Sequence, residues 1–200
     1  MQRRQVLRTL GFAPLLLLPA GLLGHPRQSF ALGGVLPELD QPAPTFSLEG
    51  VAVDAGKGSS LAARQTHLSL ADLAGRWVVL YFYPKDFTGG CTLEARGFQK
   101  DLESFRSRGA AVVGISADDP DSHASFCGSE DLAFPLLSDP AGAVSQRYGS
   151  WIAPFSQRHT FLIDPNGVLR ARWVAVRPTG HSQEVLSELE RLQASRASLG

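Results

Sequence analysis

The residue best placed to do chemistry in this 200-residue chain is Cys91, which follows the stretch Pro84-Lys85-Asp86-Phe87-Thr88-Gly89-Gly90 and precedes Thr92. Residues 77–83 before that stretch are continuously apolar and β-prone, as a strand covered on both faces should be. After it, Leu93, Ala95, Phe98, Leu102 and Phe105 recur at helical spacing. A cysteine that opens a helix after a strand and a loop faces N–H groups without intrahelical partners, and the helix dipole adds partial positive charge. Both favour thiolate over thiol, and the thiolate is the nucleophile. Thr88 offers a hydroxyl at close range, while Gly89 and Gly90 let the backbone approach a ligand. The plainer reading makes Cys91 a small buried hydrophobe, the commoner fate of a single cysteine. Its neighbours favour function without naming a reaction.

Cys127 is the second of two cysteines, so the chain can form at most one internal bridge. The stretch Cys91-Thr92-Leu93-Glu94 is not a CxxC, which argues against a thioredoxin-type disulfide oxidoreductase. No Cys/His cluster has metal-ligand spacing, so neither a structural zinc nor another cofactor is implied. A cysteine hydrolase would need a histidine base, and no motif singles one out among His123, His159 and His181. His181 reads as capping or flanking the last helix.

The elements that must position Cys91 alternate in type. Residues 43–48 begin the domain as a short strand. Residues 51–67, rich in Gly, Ala and Ser, read as a loop or loose hairpin outside the core, and 68–73 as one helical turn ending near Gly75. The 77–83 strand and the 91–107 helix lead to a second buried strand over 111–116. A helix then starts at Pro120, with Asp121 or Ser122 in its first turn or at its cap. A short strand over 134–137 and a helical segment over 141–148 follow. Strands at 160–163 and 169–176 form a hairpin across Asp164-Pro165-Asn166-Gly167, where Asn-Gly is a strong turn signal. Residues 181–193 close the chain as an amphipathic helix. This order gives a single α/β domain, a central mixed β-sheet flanked by helices.

The formal charge is zero overall but uneven. Residues 1–31 carry Arg3, Arg4, Arg8 and Arg27 and no acid, leaving 15 basic (19 − 4) against 19 acidic residues beyond them. That mildly acidic remainder argues against nucleic acid or an anionic membrane surface as partner. The apolar run over 10–23 is shorter than the roughly 20 residues a membrane span needs, and it contains Pro14 and Pro19. With Ser29-Phe30-Ala31 behind it, residues 1–31 read as a cleaved signal peptide. Arg3-Arg4 before Val6-Leu7-Arg8 is twin-arginine-like and implies export to a periplasm or thylakoid lumen, with an ordinary secretory signal as the alternative. Residues 32–42 then form a linker, and 43–195 the folded domain.

Taken together, Tyr81-Phe82-Tyr83-Pro84-Lys85-Asp86-Phe87-Thr88-x-Gly90-Cys91-Thr92-x-Glu94-Ala95 closely resembles the active-site stretch of peroxiredoxins, in the bacterioferritin-comigratory-protein or peroxiredoxin Q branch. Pro84, Thr88 and Cys91 match that family's Pro-x-x-x-Thr-x-x-Cys pattern. The resemblance continues through residues 134–139 and through Arg158-x-Thr160-Phe161-Leu162-Ile163-Asp164, covering about 41–192. It implies a thioredoxin-like fold and a thiol-dependent peroxidase acting on hydrogen peroxide and organic hydroperoxides. Cys91 would be the peroxidatic cysteine, passing through a sulfenic acid. Thr88 would orient the peroxide, Arg158 would hold the thiolate and stabilise developing charge, and Pro84 would exclude water. The backbone N–H groups of Gly90 and Cys91 would complete the donors.

Two departures from the family pattern matter. Gly89 stands where the family usually has proline, implying a more mobile loop. Arg96 occupies the commonest resolving-cysteine position, five residues after Cys91. Cys127, 36 positions after Cys91 (127 − 91), matches the resolving cysteine that some members of the branch carry on a later helix. The resemblance thus implies a Cys91–Cys127 disulfide, reached by local unfolding and reduced by thioredoxin or a similar dithiol. It also implies a monomer, as is common in this branch. Two alternatives stand beside it: a one-cysteine peroxidase with Cys127 a structural spectator, and a non-catalytic exported thioredoxin-fold binding domain.

Overall fold

The structure, a computed structural model, describes residues 29–53 and 63–198. The signal sequence expected over 1–31 lies outside the described residues except for its last three. Strands β1 (Phe30–Ala31) and β2 (Gly34–Val35) form a small antiparallel ribbon. Next come β3 (Ser47–Val53), β4 (Ala63–Ser69), a single 3₁₀ turn at Ala71–Leu73, and β5 (Trp77–Phe82). Helix α1 (Gly89–Ser107) leads to β6 (Ala110–Ser116), and α2 (Pro120–Glu130) to β7 (Leu136–Ser138). The short α3 (Ala143–Arg147) precedes a ribbon of β8 (Trp151–Ile152) and β9 (Phe155–Ser156), then β10 (His159–Ile163), β11 (Leu169–Trp173) and α4 (His181–Ala197).

Seven strands make one mixed sheet in the order β11-β10-β5-β6-β7-β3-β4. β5, β6 and β7 run parallel, joined through α1 and α2, and the remaining pairs are antiparallel. β5 is buried along its whole length because both its faces are covered. Trp77, Val79 and Tyr81 pack against Phe98, Phe105, Phe126 and Val185 from the α1, α2 and α4 side. Val78, Leu80 and Phe82 pack against Tyr148, Phe161 and Leu36 on the other side. The continuous apolar run in the sequence thus records a central strand of a two-sided sheet.

Several expected boundaries shift, and the reasons are local. The described parts of 51–67 pair antiparallel as β3 and β4, and not outside the core: β3 also pairs with β7, and Val51 and Val53 are buried. Just before that segment, Gly50 in β3 sits where an added Cβ would lie 2.1 Å from the Leu136 carbonyl oxygen. Close approach of two strands, rather than looseness, explains that glycine. Leu68 belongs to β4, so the helical turn is confined to Ala71–Leu73. The cap of α2 is Asp119, whose carboxylate accepts the Ser122 N–H at 2.8 Å, rather than Asp121 or Ser122. The stretch read as a linker docks on the domain: Leu36 is buried, and the Asp40 N–H donates to the Leu169 carbonyl at 2.8 Å.

The second core layer is dominated by rings. Phe161 lies 5.8 Å from Phe82 and 4.9 Å from Tyr148, centroid to centroid, each edge-on, and is fully buried. Truncation there leaves a cavity under the strand that carries Arg158 into place. Phe161→Ala should cost about 3–5 kcal/mol, read as a lowered urea midpoint with an unchanged slope.

Candidate active site

β5 ends at Phe82, and the loop over 83–88 brings the chain round to α1. Thr88 caps that helix with an extended backbone, φ −82° and ψ 144°, but its side chain does not cap it. Instead the Thr88 hydroxyl donates to the Lys85 carbonyl at 3.0 Å. The first intrahelical bond runs from the Thr92 N–H to the Thr88 carbonyl at 2.9 Å, so the N–H groups of Gly89, Gly90 and Cys91 precede it. No acid occupies the first turn. The positive end of a 19-residue helix is therefore left unneutralised beside Cys91.

Arg158, at the entrance to β10, reaches the same point from the neighbouring strand, since His159 pairs with Phe82 at the end of β5. Its backbone is fixed by the Val176 N–H, which donates to the Arg158 carbonyl at 2.9 Å. Its Nη2 donates to Cys91 Sγ at 3.2 Å, and its Nη1 donates to Glu94 Oε2 at 2.5 Å. The guanidinium lies across Gly90, where an added Cβ would be 3.1 Å from Nη2. A side chain at Gly90 would press on that guanidinium and make it give by a few tenths of an ångström. Gly89 differs: nothing lies within 4 Å of its missing Cβ, and it is the first helical residue, a position that accepts proline readily.

Cys91 is 1% exposed and Cys127 is fully buried, both as free thiols in one apolar cluster. Burial pushes the Cys127 thiol up to about 12, and the Asp86 charge adds to that. Cys127 is thus inert where it stands. Burial likewise pushes the Glu94 carboxyl up to about 7, against the pull of Arg158, because Oε1 is buried without a partner. For Arg158, burial works against the charge, but Glu94 and Cys91 outweigh it and hold the guanidinium more firmly protonated.

Among the residues expected at the site, the structure brings Cys91, Gly90 and Arg158 into one cluster, with Thr88 one turn away at the helix start. Pro84 is half-buried at the loop's beginning, and Cys127 lies on α2. Glu94, in sequence only one position of the matched stretch, anchors Arg158; its i+3 spacing from Cys91 was the available signal. A second polar cluster had no sequence signal. Buried Asp86 accepts from Tyr83 Oη at 2.8 Å, Ser122 Oγ at 2.8 Å and His123 Nδ1 at 2.9 Å. His181 is structural: buried at the start of α4, it meets Thr160 Oγ1 through Nε2 at 2.8 Å.

A thiol held under an arginine at a helix N-terminus, on this sheet, defines a thiol-based redox site; among the described residues no His/Cys/Asp/Glu group could hold a metal ion. Comparison with known proteins makes the class specific. A profile described as the AhpC/TSA family matches residues 39–172. Peroxiredoxin Bcp of Xanthomonas campestris is 36% identical over 161 residues, spanning 76% of this chain and 94% of that protein. Peroxiredoxin Bcp of Bacillus subtilis is 34% identical over 161 residues, spanning 76% and 95%. The solved structure of Xanthomonas campestris peroxiredoxin Q matches with a TM-score of 0.62 at 34% identity, over 72% of this chain and 90% of that one. Two further structures of that protein each carry a cysteine-to-serine mutation, and the two mutated positions are 36 apart (84 − 48). The chain belongs to the AhpC/TSA family and is a peroxiredoxin of thioredoxin-like fold, a thiol-dependent peroxidase.

The raised Glu94 carboxyl carries a pH signature. A folded-state value of about 7 against an ordinary 4.5 means the fold binds this proton more tightly than the unfolded chain. Its contribution to stability therefore falls as pH rises from about 4.5 to about 7 and is level above that. Glu94→Gln, which cannot ionise, should gain stability relative to the native protein as the pH is raised from about 5 to about 8. Parallel urea titrations across that range check this; a constant difference would contradict it.

Proposed function

We propose that Cys91 is the peroxidatic residue and Cys127 the resolving residue of this peroxidase. The observation that carries the first assignment is the 3.2 Å hydrogen bond from Arg158 Nη2 to Cys91 Sγ at the open N-terminus of α1. The Cys91 thiolate attacks the terminal peroxide oxygen, so that an S–O bond forms as the O–O bond breaks. The sulfur is oxidised by two electrons to a sulfenic acid, and the departing alkoxide or hydroxide takes a proton to leave as alcohol or water. Thr88, with its own hydrogen spent on Lys85, presents lone pairs that accept the peroxide O–H. Arg158 and the N–H groups of Gly90 and Cys91 face the charge that builds on the oxygens, and Glu94 holds Arg158 in position. Pro84 screens the loop side from water.

In the second stage the Cys127 sulfur attacks the Cys91 sulfenic sulfur, and hydroxide leaves with a proton as water. The interval between the cysteines equals that between the two mutated cysteines of the Xanthomonas peroxiredoxin Q, which supports the pairing. Because both sulfurs are buried and unbonded, the two helices must open locally first. A thioredoxin-like dithiol then reduces the bridge by exchange. Residues 1–31 would direct this activity outward as a twin-arginine-like signal, with 32–42 and 43–195 exported as one unit.

Stopped-flow peroxide consumption and mass spectrometry separate the roles. Arg158→Ala should slow sulfenate formation by about 100- to 1,000-fold, and Cys91→Ser should consume no peroxide. The native protein should end as an intramolecular Cys91–Cys127 bridge, while Cys127→Ser should stop at the sulfenate and fail to turn over with thioredoxin. Persistent sulfenate with free Cys127 in the native protein would overturn the resolving assignment.

A further inference from the structure

The Asp86 cluster does nothing evident for peroxide reduction, since none of its hydrogen bonds reaches Cys91, Thr88 or Arg158. What it does is join the two segments that carry the cysteines. The Asp86 carboxylate, 3% exposed, takes Ser122 Oγ and His123 Nδ1 from the first turn of α2, the helix that bears Cys127. Its backbone N–H donates to Asp118 Oδ2 at 2.9 Å, and that oxygen also accepts Ser116 Oγ at 2.7 Å at the end of β6. Asp86 itself lies five residues before Cys91, in the loop that must move if Cys91 is to leave its helix. A buried carboxylate is tolerated only when its lone pairs are filled, and here three side-chain donors fill them. His123 Nε2 is buried without a partner, which fits the Nδ1–H tautomer aimed at Asp86.

The neighbouring residue adds a second tie. Phe87 has φ +59°, a left-handed backbone unusual for a residue with a side chain, and the residue is 55% exposed. Its ring packs edge-on against Phe126, 5.1 Å between centroids, and Phe126 directly precedes Cys127. His123 and Cys127 lie four residues apart, on the same buried face of α2. The loop is therefore held in a strained conformation by contacts with the very helix from which Cys127 must emerge.

We propose that Asp86 is a latch for the resolving step. With its bonds to Ser122 and His123 closed, loop and α2 stay folded and the peroxide site is intact. With them broken, both cysteines are released together and the Phe87 strain is relieved. Asp86 is thus a positioning residue that sets how often a Cys91 sulfenate becomes a disulfide rather than being oxidised again to the sulfinate by a second peroxide. This rests on the reading of Cys127 as the resolving cysteine.

The test measures, at fixed hydrogen peroxide, the ratio of Cys91–Cys127 bridge to Cys91 sulfinate by mass spectrometry. Asp86→Asn removes the charge and one of the two acceptor oxygens, and should raise the ratio roughly tenfold, as expected for losing a charge-assisted hydrogen bond. His123→Ala should raise it similarly from the α2 side, and Ser122→Ala, which opens no cavity, by a smaller factor. The Asp86→Asn/His123→Ala double variant should fall well short of the product of the two single changes, because both act on the Asp86–His123 bond. Val185→Ala, in α4 and away from the latch, lowers global stability and should leave the ratio unchanged. Unchanged ratios in the latch variants, or an equal rise in Val185→Ala, would overturn the latch alone. A native protein that forms no bridge would overturn the Cys127 reading and the latch with it.

Discussion

The structure turns on one contact, the Arg158 guanidinium laid across the start of α1 onto the Cys91 sulfur. Every nearby feature makes room for it or holds it. Gly90 leaves out the Cβ that would crowd it, Glu94 grips its other edge, and Val176 fixes its backbone. β5, buried on both faces, pairs with β10 so that His159 lies opposite Phe82, which sets Arg158 beside the start of the loop. Because guanidinium and helix end both carry positive charge in a water-poor place, their effect on a sulfur anion is larger than it would be at the surface.

The same burial creates the enzyme's difficulty. A sulfur 1% exposed is protected from competing thiols, but so is Cys127, whose burial and nearby Asp86 charge keep it protonated and unreactive. On the proposed cysteine roles, the arrangement that forms a sulfenate cannot by itself remove it, and turnover would alternate between a closed state, competent toward peroxide, and an opened one, competent toward the second thiol. The loop over 83–88 belongs to both states. It positions Thr88 when closed, and through Asp86 and Phe87 it holds α2.

The sequence was readable where chemistry and local pattern coincide. Cys91 at a strand–loop–helix junction follows from apolar runs and turn residues alone, and the mixed sheet follows from the order of elements. Arg158 was legible only through resemblance, because a single arginine before a strand has no local signal of function. The Asp86–His123 bond spans 37 positions between a loop and a helix, and no periodicity connects them. β3 runs into a Gly-, Ala- and Ser-rich segment with no clear alternation, and what makes it a core strand is a long-range pairing with β7 at Gly50 and Val51. The docked stretch over 36–43 escaped notice because its burial comes from isolated residues such as Leu36 and Ala43 rather than a repeating pattern.

The central claim is that the closed site must come apart, in the loop and in α2 together, for the cycle to finish. Hydrogen–deuterium exchange on reduced and peroxide-oxidised native protein measures this peptide by peptide. The account predicts strong protection over 92–95 and 123–130 in the reduced form and its joint loss in the oxidised form, with β5 and β10 protected in both. Protection kept in either segment after the bridge has formed would contradict it.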